Sequence, residues 1–135
     1  MKSLLRALWF GNRAVSATEF ALLAPVLLMG IVGTGQLGVL FFANAGMRSA
    51  VGEGARYATI FPRPTDDQIR VRVSSKLYGV KAQGLSATTI TPGKTDGSDY
   101  IDIALTYNVP LNFIFFSAPA VQLVETRRVF VQPVS

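Results

Sequence analysis

No charged side chain occurs between Glu19 and Arg48, and within residues 20–45 only Thr34, Gln36 and Asn44 are clearly polar. A helix of those 26 residues would be about 39 Å long, more than the roughly 30 Å hydrocarbon core of a bilayer. We read it as a transmembrane helix, because the remainder of the chain is too small to surround such a helix on every side. Pro25 lies about two turns past Glu19, where a missing backbone donor predicts an interruption and a bend. From residue 45 to 61 the pattern turns amphipathic. Met47, Ala50, Val51, Ala55, Ala58 and Phe61 fall on one face, opposite Arg48, Ser49, Glu53 and Arg56, so the helix is expected to continue beyond the membrane. Glu53 and Arg56 stand at the spacing of a helical ion pair.

Pro62-Arg63-Pro64 ends this helix and forms a hinge. Thr65-Asp66-Asp67-Gln68 then has the form of a capping box, which predicts a second helix to about Tyr78 with Ile69, Val73 and Leu77 inward and Arg70, Arg72 and Lys76 outward. Residues 79–84 read as a connection. Beyond them the alternation has period two: strands are expected at 85–91, 100–109 and 122–131, with Ile101, Ile103, Leu105, Tyr107 and Val109 on one side of the clearest one. The cluster Pro92 to Ser98 is turn chemistry, and Pro110 is expected to close the middle strand. The predicted class is α+β: a long N-terminal transmembrane helix running into one helix on a three-stranded antiparallel sheet.

The 135 residues allow one small globular part, and a mean hydropathy of +0.37 with 50% hydrophobic residues is too apolar for a solvated disordered chain. The net charge is +5, of which Lys2, Arg6 and Arg13 supply +3 ahead of the first acid. What is left is too weakly basic to imply nucleic acid. Lysines and arginines flank the apolar run equally, and the acid-free arm favours a cytoplasmic N-terminus. With neither cysteine nor histidine, the chain lacks disulfides, thiolate and imidazole metal ligands, Cys nucleophiles and His bases. There is no G-x-S-x-G and no phosphate loop, so no catalytic residues are assigned and no cofactor or enzyme activity is expected.

Glu19 is the most informative residue, because a carboxylate beside an apolar span either marks the headgroup level or requires a positive partner. The stretch Asn12-Arg13-Ala14-Val15-Ser16-Ala17-Thr18-Glu19-Phe20-Ala21-Leu22-Leu23-Ala24-Pro25, followed by Gly52-Glu53-Gly54-Ala55-Arg56-Tyr57-Ala58, resembles the TadE-like pseudopilins of the Tad branch of type IV pilus systems. The resemblance covers residues 13–58 and implies a pilin-like fold. It also implies a leader, residues 1–14, cut by a membrane prepilin peptidase between Ala14 and Val15, five residues before a glutamate. Family leaders usually end in glycine, from which Ala14 departs. Glu19 is then expected to pair with the new amino group of Val15, its own or a neighbour's, with Phe20 the next mature residue.

Gly30, Thr34 and Gly38 recur every four residues, with Gly33, Gly35 and Ala43 nearby, a spacing that lets membrane helices pack closely. Asp96, Asp99 and Asp102 raise a calcium site, although their spacing is not that of an EF-hand and Asp102 belongs on a strand's solvent face. The apolar stretch Phe113, Ile114, Phe115 and Phe116 either folds onto the small domain's core or forms a patch for a partner subunit or the membrane surface. Arg127 and Arg128 are expected on the exposed edge of the last strand. The division expected is a leader at 1–14, a long helix at 15–61 and an α+β domain at 62–135. The resemblance implies a minor subunit of adhesive pili in a bacterial inner membrane, its C-terminal domain periplasmic or carried into a pilus. Its partners would be other pilins, the assembly platform, the peptidase and membrane lipid. Two readings stay open beside it: an uncleaved, membrane-anchored envelope binding module, and a domain secreted by cleavage at Ala43-Asn44-Ala45.

Overall fold

The computed structural model describes residues 2–113 and 117–132, with side chains from Val15 onward except that of Ser117. The elements run α1 (Lys2–Ala58), α2 (Asp66–Lys76), β1 (Thr89–Thr95), β2 (Ser98–Asn112) and β3 (Ser117–Phe130). The three strands form one antiparallel sheet in the order β1-β2-β3, so the α+β architecture expected from the patterning is the one observed. α1 serves two environments: most of its apolar run is uncovered, and from Ala43 onward it is part of the core.

The core lies between one face of the sheet and the two helices. Ala43, Met47, Ala50, Val51, Ala55 and Ala58 of α1 are buried against Ile69 and Val73 of α2 and against Ile101, Ile103, Leu105, Tyr107 and Val109 of β2. The period-two apolar positions of β2 therefore all point inward, as a half-buried strand requires. α2 starts where expected: the Thr65 hydroxyl accepts from the Gln68 amide at 3.3 Å while the Gln68 side chain accepts from the Thr65 amide at 2.9 Å. Two α1 glycines permit close approach. Gly54 leaves the space that Val73 fills, and Gly46 faces the backbone of Tyr78.

The boundaries differ from the sequence expectation at several points. α1 ends at Ala58, and Phe61, expected on the buried face, is 80% exposed beyond it. α1 continues through Pro25 without interruption, since one missing bond in so long a ladder does not end it. α2 stops at Lys76, with Leu77 extended as its cap. β1 begins at Thr89 rather than 85 and passes through Pro92 and Gly93; Leu85 instead makes an isolated bridge to Tyr107. Only Asp96 and Gly97 turn, with φ of 46° and 77°, both positive as a two-residue hairpin of this kind demands. β2 outlasts Pro110 by means of a register shift between Val109 and Leu111, and β3 starts at Ser117 rather than 122. Glu53 bonds to Arg72 of α2 at 3.7 Å instead of to Arg56, which turns Arg72 inward over the Tyr57 ring.

Candidate functional site

The feature to be explained is the uncovered length of α1. Val15–Ala58 is apolar and long enough to cross a membrane, and Phe20, Leu22, Ile31 and Phe41 on it are each at least two-thirds exposed. A surface this apolar requires lipid or other helices around it. Two hydroxyls along it are answered locally. The Thr18 hydroxyl donates to the Val15 carbonyl at 2.7 Å and that of Thr34 to the Gly30 carbonyl at 2.9 Å.

Glu19 is different. It is exposed, and no ion pair among the described residues includes it. Along α1 the nearest cations are Arg13 before it and Arg48 after it, about 9 Å and 44 Å away along the axis. Val15 lies one turn before Glu19, at the spacing that places two side chains side by side. Eleven residues separate Glu19 from Gly30, three turns with only about 20° left over, so Glu19, Gly30 and Thr34 share a face. A side chain at Gly30 or Gly38 would meet nothing within 4 Å. Glu19, Gly30 and Thr34 thus form an open stripe along the helix rather than a pocket, and Phe20 and Pro25 are exposed on its other sides.

The far end of the apolar surface is met by the β2–β3 hairpin. Gln36 Nε2 donates to the Asn112 carbonyl at 2.8 Å, and the Phe113 ring stands 3.7 Å from where a Cβ on Gly33 would lie. Phe113 therefore packs on α1 and not in the domain's core; Ile114, Phe115 and Phe116 lie outside the described residues, as does the side chain of Ala14. Arg48, the first charge after Glu19, faces Glu125 of β3 at 3.6 Å. Gln36, visible as a polar residue in an apolar run, and the Arg48–Glu125 pairing, which no local pattern signals, are the positions that sequence reasoning left unassigned.

The aspartates do not assemble. Asp102 receives two hydrogen bonds from Arg128, both 2.8 Å, Asp99 pairs with Lys94 at 3.3 Å, and Asp96 sits in the turn. Among the described residues no group of three His, Cys, Asp or Glu side chains could hold a metal. The hydrogen bonds from Arg128 hold the Asp102 carboxyl below its ordinary pKa and raise that of Arg128. Arg128 also lies over the Tyr100 ring at 3.9 Å, so this cluster ties β2 to β3 on the outer face.

Residues 14–56 match the family model described as TadE-like protein, whereas no curated protein and no solved structure gives a match. The matched segment begins at Ala14 and takes in Val15, Glu19, the uncovered apolar surface and the glycine-rich turn of α1 that enters the core, and it is over this segment that the chain is similar to TadE-like proteins.

Proposed function

We propose that the chain is a structural, prepilin-like subunit of a Tad-type pilus system, cut between Ala14 and Val15 and held in the membrane by α1 until it is drawn into an assembly. The observation that carries this reading is a solitary carboxylate, Glu19, at the head of an uncovered apolar helix. Cleavage before Val15 would create an ammonium group one helical turn from Glu19, on the same subunit or at the equivalent level of a neighbour. An unpaired carboxylate costs about 2.5–3.5 kcal/mol near the bilayer centre, and losing one member of a buried pair costs about 3–5 kcal/mol. Pairing with Val15, within one helix or between helices that stand side by side, would remove that penalty. Gly30 and Thr34 continue the same face, Gly38 lies one turn beyond Thr34, and these small residues would let a second helix approach closely. In this arrangement the basic arm stays cytoplasmic, the sheet domain is periplasmic, and the partners are other pilin-like subunits, the peptidase and the membrane assembly platform.

The test is the N-terminal residue of the protein from its native cell, read by intact mass and terminal peptide analysis, combined with pilus assembly in a Glu19→Ala strain. A start at Val15 and loss of pili are expected. A start at Met1 with normal pili would instead identify an uncleaved anchored module, and a start at Gly46 a secreted domain.

A further inference from the structure

We propose that the membrane-proximal end of the β2–β3 hairpin is a second membrane contact, with Asn112 and Phe113 lying below the lipid headgroups beside α1. The inference rests on the reading of α1 as a membrane anchor and adds to it a site in the sheet domain. Three observations converge on it.

The first is depth. Counting 20 residues from Phe20, enough for the hydrocarbon core, ends the span near Val39. Gln36 and Gly33, where the hairpin touches α1, lie about 5 Å and 9 Å below that level. The second is charge. The hairpin carries no charged residue from Ile103 to Val124, and α1 carries none from Phe20 to Met47. These two charge-free stretches meet at Gln36 and Asn112 and end together at the Arg48–Glu125 pair. The rest of the hairpin, farther from the membrane, holds Asp99, Asp102, Arg127 and Arg128. The third is the surrounding belt. Tyr78 packs its ring on Phe42 at 5.4 Å and stays 44% exposed, flanked in sequence by the exposed Lys76 and Lys81. Aromatic rings with lysines close by in the chain are what a headgroup region attracts.

The polar contact fits the same placement. A Gln side chain and a hairpin carbonyl would each be costly to strip of water alone, and the bond from Gln36 to Asn112 satisfies both. A solvated hairpin would have no need of that bond, nor of an uncharged end.

The chain has no cysteine, so single nitroxide labels report position unambiguously. The full chain is reconstituted in vesicles of phosphatidylethanolamine and phosphatidylglycerol, with labels in Asn112→Cys, Phe113→Cys, the mid-span Leu28→Cys and the exposed α2 variant Val71→Cys. Power saturation then compares collisions with oxygen, which favours lipid, and with a water-soluble nickel chelate. Oxygen is expected to dominate at 28, 112 and 113, and nickel at 71. Asn112→Cys decides the matter if Phe113→Cys loosens the hairpin, because it keeps both the Phe113 ring and the backbone carbonyl that Gln36 holds. Nickel dominating at 112 while oxygen dominates at 28 would overturn this contact and leave the anchor standing. Nickel dominating at 28 would remove the anchor itself. A label at 112 reached by neither reagent would mean that protein, such as a second copy of the chain, covers the hairpin, and would overturn lipid as the occupant.

Discussion

Gly46 is where α1 is held most tightly to the segment that follows α2, and replacing it by alanine separates packing from helix propensity. A Cβ at this position would fall within the van der Waals envelope of the Tyr78 carbonyl, 2.8 Å from its carbon. The obstacle is backbone, so no rotamer change relieves it. The approach is close on the other side too, because a Cβ on Gly79, at a φ of 73°, would stand 2.9 Å from the Phe42 carbonyl oxygen. In an open helix Gly→Ala gains about 1 kcal/mol, while overpacking a tight contact costs about 1–3 kcal/mol. With backbone on both sides the cost falls at or beyond the upper end, leaving a net loss near 2 kcal/mol. For a domain of under 100 residues that lowers Tm by roughly 8–16 °C. Gly52→Ala is the matched control, since its Cβ would meet only the flexible Arg127 guanidinium, at 3.1 Å, and it should keep or raise Tm. The assay is thermal unfolding in detergent micelles followed by the near-ultraviolet circular dichroism of the tyrosines, all four of which lie outside the charge-free residues 20–47. A Gly46→Ala protein that melts at or above the wild-type temperature would refute the close approach of α1 to Tyr78.

Two further outcomes follow from the domain's polar contacts. Thr65→Ala removes half of the capping box and should cost about 1 kcal/mol, seen as faster amide exchange across the first turns of α2; unchanged exchange would mean that the cap contributes nothing. Arg128→Ala should return the Asp102 carboxyl upward toward the ordinary carboxylate range in a carboxyl-carbon NMR titration. Because the folded-state value is the depressed one, the pair's stabilising contribution is present above the ordinary carboxylate range and lost as pH falls through the lowered value. Wild type and variant should therefore differ at neutral pH and converge in acid, and an Asp102 titration that ignores the substitution would exclude the pairing.

What the sequence made legible were features whose cause is local. The capping box acts within four residues, and the alternation in β2 comes from the pleat itself, so both survive unaltered in the fold. The strand ends were not legible, because whether a proline ends a strand depends on its neighbours. Pro92 lies on edge strand β1, where an N–H can be absent without loss. β1 pairs with β2 only as far as Ala104, so Pro110 also lies where β2 has one strand for a neighbour, and a register shift takes up the irregularity. Phe61 fits the helical spacing of the buried face, but α1 ends before it, and spacing alone does not mark that end. At the candidate site, Glu19 and the apolar run could be read directly, since charge and hydropathy are properties of single residues. The pairing of Arg48 with Glu125 spans 77 positions and exists only because β3 returns along α1.

That pairing bears on how the two halves of the chain act together. α1 is one helix from the membrane to the far end of the core, where Ala55 and Ala58 are buried, so the sheet domain is built onto the anchor and not tethered to it by a flexible linker. Sliding α1 along its axis would carry the whole domain with it, because Met47, Ala50 and Val51 are fully enclosed and a packed interior does not slip gradually. A force applied to the domain or to the span would thus be transmitted along one continuous hydrogen-bonded ladder. Lifting the subunit out of the bilayer would at the same time withdraw the hairpin at Gln36 from lipid and strip the apolar face from Val15 to Phe42 of its lipid cover. Both surfaces would then have to be covered again together, and close packing of neighbouring helices along the Glu19, Gly30 and Thr34 face would cover the apolar part while bringing each carboxylate beside another subunit.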